Sequence, residues 1–216
     1  MAEKVTKYGL IVGAAPCADL AFLGDYLGER DWTVICADGG MRAALAAGVK
    51  PDYLIGDWDS GGSPAEDVPC TTLPVEKDFT DLQAAAHLAI ELGCTQLLLC
   101  GCTGGRLDHT ASNLVLLEWI ARQGASALLV DEDNEVRLLE NGTIYLNDTP
   151  HYHYLSLIPL DRTLKGVTLR GVKYPLEGAT VTRGDTLTVS NEPVAPVMEL
   201  TVGEGAALVI RSQREL

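Results

Sequence analysis

The sequence predicts an α/β protein in two parts: an N-terminal α/β domain built on a parallel sheet and a C-terminal all-β sandwich. Three observations predict it. Through about residue 130, short aliphatic runs alternate with segments of helical spacing, the order that builds a parallel sheet with helical crossovers. The runs are apolar nearly throughout, as in strands buried on both faces. From residue 134 on, short alternating segments are separated by turn signals and no convincing helix appears, the texture of a small sandwich or barrel. The expected domains are therefore residues 1–133 and 134–216.

The elements follow in order. Residues 8–14 (YGLIVGA) read as a strand ending at Gly and Pro, and residues 19–30 have helical spacing. Residues 33–38 (TVICAD) form a second buried strand, after which Gly39-Gly40 opens an Ala-rich helix stopped by Gly48. Residues 53–56 (YLIG) are a short strand running into Asp57, followed by a Gly/Pro-rich loop and a short strand near residues 71–74. Thr80 and Gln83 form a capping box for a helix over 80–92 that stops at Gly93. Residues 96–101 (QLLLCG) are a strand, 107–122 a longer helix and 126–131 a further strand. In the second part, Asn141-Gly142 is a hairpin cue. The expected strands there are 153–158, 168–169, 186–190, 197–202 and 207–210.

Nearly half of the 216 residues are apolar (47%), enough for a sizeable core in each part, and the formal net charge is −14. Such a surface repels nucleic acid and anionic lipid, so neither is an expected partner. No apolar run reaches the ~20 residues needed to span a bilayer. A small anionic substrate would need a divalent cation and local Arg or Lys to bind. Six cysteines are present, Cys17, Cys36, Cys70, Cys94, Cys100 and Cys102, and the N-terminal MAEKVTKYG carries no apolar leader. They read as reduced thiols in a cytoplasmic protein.

The candidate chemistry gathers at the ends of the N-terminal strands, where open α/β sheets bind ligands. Asp38 follows one strand, and Asp57 and Asp59 follow another with side chains on one side of an extended segment. Carboxylates so grouped repel one another unless a cation lies between them, and magnesium is held by one or two carboxylates plus substrate phosphates. Taken singly, a DxD pair reads more readily as a solvated acidic loop; repeated placement of acids at strand ends favours metal. Gly39 and Gly40 let backbone N–H groups approach a phosphate. Lys77-Asp78-Phe79-Thr80-Asp81 joins a cation to two carboxylates, although the helix dipole alone accounts for Asp81 in a first turn. Thr103, Gly104, Gly105 and Arg106 lie in a Gly-rich strand-to-helix loop that lacks a Walker ending but suits polyphosphate, with Arg106 giving paired contacts to its oxygens. Asp108 reads as that helix's cap, and His109 as a buried helix residue or a substrate contact. His151 and His153 share a strand face without a third ligand and read as structural.

Four ordered segments, ADGG (37–40), KPDYLIGDWDS (50–60), KDFTDLQAA (77–85) and GCTGGRLDHTASNL (101–114), with GVKYPL (171–176) and VSNE (189–192), make the chain resemble thiamine pyrophosphokinases of the bacterial type. The resemblance spans nearly the whole chain. It implies transfer of diphosphate from ATP to the hydroxyl of thiamine, with magnesium as cofactor and ATP as co-substrate. It also implies a homodimer in which thiamine lies between the α/β domain of one subunit and the sandwich of the other. Carried over by motif, Asp38, Asp57, Asp59 and Asp81 handle magnesium and diphosphate, with Asp57, Asp59 and Asp81 as the metal ligands. Arg106 holds phosphate, Ser190 and Asn191 belong to the thiamine-facing wall, and Asp108 and His109 lie where the substrates meet. Asp81 and Asp108 are both open as acceptors of the hydroxyl proton. The alternatives are a related pyrophosphokinase acting on another hydroxymethyl heterocycle such as a pterin, or a nucleotide or thiamine sensor without turnover.

Overall fold

The structure, a computed structural model, describes residues 6–16, 20–56, 68–72 and 78–214. The chain divides into two compact units, Met1–Glu132 and Asp133–Leu216.

The first unit is a parallel sheet with helices. Its strands are β1 (Tyr8–Val12), β2 (Trp32–Ala37), β3 (Tyr53–Gly56), β4 (Cys70–Thr72), β5 (Gln96–Cys100) and β6 (Ser126–Val130), in the spatial order β6-β5-β1-β2-β3-β4. Every pairing in it is parallel. Alternate residues Leu10, Val12, Val34, Cys36, Leu98 and Cys100 join Leu20, Leu23 and Ala44 in one core cluster. Ile11, Ile35, Leu99 and Leu129, pointing to the opposite face, are just as fully buried. That double burial is why the strands read as unbroken apolar runs.

The helices are α1 (Gly24–Leu27), α2 (Gly40–Ala46), α3 (Asp81–Glu91) and α4 (Leu107–Arg122). The helix expected over 19–30 is reduced to a 3-10 turn, Ala21–Leu23, running into the single turn of α1. Gly28, at φ 52°, ends it. The Thr80 hydroxyl accepts the Gln83 N–H at 3.2 Å, so the Thr half of the expected capping box is present.

The second unit is built on two long antiparallel strands, β7 (Asn134–Asn147) and β11 (Val197–Ser212), with β8 (Tyr154–Pro159), β9 (Thr163–Arg170) and β10 (Leu176–Thr182). The first half of β11 pairs with β9, the second half with β8, and β7 runs alongside both halves. β10 adds to β9. Residues of both halves, among them Leu146, Leu157, Leu164, Met198, Leu200 and Val209, pack into one core. The layers of this sandwich are therefore two ends of the same bent strand pair.

Two local expectations fail here. Asn141-Gly142 makes no hairpin: it continues β7 opposite a bulge in β11. Residues 203–205 of β11 oppose the single Asn141, between the pairs Val202↔Gly142 and Ala206↔Glu140. Asn141 adopts φ 43° and its carboxamide oxygen accepts the Gly205 N–H at 2.9 Å. The strand expected at 186–190 is a turn. The Val189 N–H closes onto the Thr186 carbonyl at 3.1 Å, and Thr188 donates its hydroxyl to the Leu157 carbonyl at 2.6 Å. The strand in this region is β10, which contains Gly178.

Candidate active site

The sheet order creates the site. The chain lays down β1 to β4 on one side of β1, then returns to place β5 on the other. The switch point therefore lies between β1 and β5, and the cleft opens at the carboxyl ends of these strands. The floor is tight backbone. A Cβ on Gly13 would lie 2.4 Å from the Gly101 carbonyl oxygen, and one on Gly40 would lie 2.2 Å from that of Val12. The Gly13 N–H reaches the Cys100 carbonyl at 2.8 Å and the Ala15 N–H reaches that of Gly101 at 2.9 Å.

Asp38 ends β2 in the left-handed region, at φ 49°. Its backbone N–H bonds the Ile55 carbonyl at 2.9 Å, and its carboxylate lies over Gly56, where a Cβ would come within 2.5 Å of Oδ1. A non-glycine held in this conformation stores strain of a kind that gathers at functional sites. Asp81 opens α3 directly after the Thr80 cap.

The Gly-rich loop after β5 is held at its root. Asn113, buried on α4, donates its amide N–H to the Cys102 carbonyl at 2.8 Å. Thr103 donates its hydroxyl to Asp131 Oδ2 at 2.7 Å. Beyond it, Gly104 and Gly105 take φ 91° and 65°. Burial pushes the Cys102 thiol up to about 12, which removes it as a nucleophile.

Arg106, not Asp108, occupies the cap position of α4. Asp108 sits in the first turn and accepts the His109 N–H at 3.0 Å, so it relieves a free helix donor from inside the helix. Its carboxylate takes two bonds from the Arg106 guanidinium, at 3.2 and 2.6 Å, which hold its pKa below the ordinary carboxylate range. Both side chains are exposed.

Asp38, Asp81, Gly104, Gly105, Arg106 and His109 line one cleft of about 620 Å³, with Ala14, Pro16, Thr80 and Asn113. Gly39 and Gly40 lie directly behind Asp38 at the start of α2. Asp78 is exposed one turn before α3; Thr103 lies between the lining residues Cys102 and Gly104, and Asp108 meets the cleft through its partner Arg106. Asp57, Asp59 and Lys77 lie outside the described residues. Among the described residues no group of three or more His, Cys, Asp and Glu is placed to hold a metal. The two carboxylates of the cleft match what magnesium takes from protein when phosphates complete its shell.

Ser190 and Asn191 belong to the second unit. Ser190 is left-handed, at φ 57°, and its N–H bonds the Ser156 hydroxyl at 3.0 Å. Asn191 is buried, and both ends of its amide serve the fold. Nδ2 donates to the Tyr174 carbonyl at 2.8 Å, and Oδ1 accepts the N–H groups of Tyr174 and Glu192, both at 3.0 Å. It fixes the 171–174 segment against 190–192. His151 and His153 precede β8 and bond Gln213 and Arg214.

Sequence reasoning missed Asn113 and Asp131. Asp131 follows β6 as Asp38 follows β2, so the strand-end rule was already sufficient to find it.

A family model described as the catalytic domain of thiamin pyrophosphokinase matches residues 25–129, and one described as its vitamin B1 binding domain matches residues 142–206. The thiamine pyrophosphokinase of Bacillus subtilis is 31% identical over 94% of this chain and 97% of its own. The crystal structure of the Bacillus subtilis protein superposes with a TM-score of 0.88 over 97% of this chain and all (100%) of that one, at 28% identity. That of Geobacillus thermodenitrificans does so at 0.84 and 34% identity, over 96% and 98% of the two chains.

Proposed function

The chain belongs to the thiamin pyrophosphokinase family, and from that premise we propose that it is a magnesium-dependent thiamine diphosphokinase. The thiamine hydroxyl oxygen forms a bond to the β-phosphorus of ATP, and the bond from that phosphorus to the α–β bridging oxygen breaks. The products are thiamine diphosphate, AMP and one proton. The observation that carries this reading is the convergence of Asp38, Asp81 and the Gly-rich loop with Arg106 on one cleft at the switch point of the sheet.

Catalysis of this kind rests on positioning and charge. The backbone N–H groups of Gly104 and Gly105 and the Arg106 guanidinium hold the polyphosphate. Asp57, Asp59 and Asp81 would hold magnesium, with Asp38 completing or orienting that shell, and the ion would supply charge neutralisation at the phosphate oxygens. Asp81 lines the cleft, whereas Asp108 is engaged by Arg106 and kept ionised as a weak base. Ser190 and Asn191 contribute to the thiamine wall, Asn191 by fixing the backbone around Tyr174. The working form we propose is a cytoplasmic homodimer.

The test is purified protein with ATP, magnesium and thiamine, assayed for both products. Thiamine diphosphate and AMP should form in equal amounts, and AMP release that ignores thiamine would sink the assignment. Asp81→Asn should lower kcat on the order of 10²–10³-fold while the fold is retained.

A further inference from the structure

We propose that Asp131 is a positioning residue for the nucleotide, acting through Thr103 on the Gly-rich loop. The inference rests on the reading of this cleft as a polyphosphate site. Residues 101–106 include Gly101, Gly104 and Gly105, all at positive φ. Glycine backbone has the most freedom to lose, so a loop of this composition binds tightly only if the fold has already ordered it. Two of its anchors reach only the root: the Ala15 N–H on the Gly101 carbonyl and Asn113 on the Cys102 carbonyl. Thr110 reaches the Gly104 carbonyl, but at a long 3.4 Å. The short bond next to the glycine pair is the one from Thr103 to Asp131, at 2.7 Å.

Asp131 comes from the end of β6, a strand that gives no residue to the cleft wall. It accepts the hydrogen bond of the Thr103 hydroxyl, so Thr103 has no hydroxyl donor left for a phosphate oxygen. Thr103 thus serves by holding the backbone of its neighbours, and the carboxylate that holds it carries no direct contact to substrate.

Loss of one such bond should weaken nucleotide binding roughly three- to tenfold. Titration calorimetry with magnesium–ATP, without thiamine, reads this directly. Asp131→Ala and Thr103→Val should each weaken binding by that factor, and the double variant should be no weaker than either, because they share one interaction. Asp131→Asn and Thr103→Ser, which keep an acceptor and a donor, should restore it. Turnover at saturating ATP should stay near that of the parent. Unchanged binding in Asp131→Ala, additive losses, or a melting temperature that falls while affinity holds would each overturn the proposal. Parent protein that binds magnesium–ATP but makes no thiamine diphosphate would overturn the proposed reaction and leave this inference standing. Parent protein that fails to bind magnesium–ATP would overturn both.

Discussion

At the scale of single residues, the site depends on what glycine leaves out. Gly56 gives room to the Asp38 carboxylate, so Gly56→Ala pushes a methyl group into Oδ1. Turnover should fall on the order of 10²-fold, the cost of a displacement near 1 Å, while circular dichroism stays that of the parent. The Arg106–Asp108 pair makes a second expectation. The pKa of Asp108 is depressed in the folded protein, so any stability from the pair is present above the ordinary carboxylate value and is lost as pH falls through the depressed one. Both groups are exposed, so solvent screens that contribution heavily. In carboxyl-carbon NMR, the Asp108 midpoint should sit below the usual Asp range and climb into it in Arg106→Ala. Residue types at strand and helix ends singled out Asp38, Asp81 and Arg106, which line one cleft. The partnership of Thr103 with Asp131 was not legible in the sequence, because nothing local couples residues 28 apart until β5 and β6 lie side by side.

At the scale of elements, periodicity served where burial is uniform and failed where the partner strand decides. Helix α4 occupies the span its spacing predicts, Leu107–Arg122. Asn141-Gly142 has the local chemistry of a two-residue turn, yet the long strand β11 passes alongside and sets the same left-handed residue opposite its own bulge. The Thr186–Ser190 stretch alternates like a strand, but Thr188 spends its hydroxyl on Leu157 and the backbone closes into a turn. The bulge is open to measurement. Asn141→Ala loses the bond to Gly205 and strains the positive φ, and should lower stability by about 1–3 kcal/mol in urea unfolding. Asn141→Gly keeps the backbone freedom and should cost less, about 1 kcal/mol.

At the scale of the whole molecule, the net charge of −14 sets a background against which every anion must bind. Self-repulsion is long-ranged and screened by salt, so the melting temperature should rise as sodium chloride goes from about 0.01 to 0.15 M, where the Debye length shrinks from about 30 to 8 Å. A fall over that range would show that specific ion pairs such as Lys173–Glu192 outweigh the general repulsion. The return of the chain across the sheet has a further outcome during synthesis. β1 receives β2 on one flank early, but its other neighbour arrives late: Ile11 and Cys100, which meet at 3.7 Å, are 89 positions apart. On the ribosome, β1, buried from Gly9 to Val12, must therefore wait with a naked edge while the 89 positions up to Cys100 are made. The crevice comes into being only when the final neighbour slots in, so a prematurely terminated product would have sheet without a place for nucleotide, and a sticky flank for chaperones to guard.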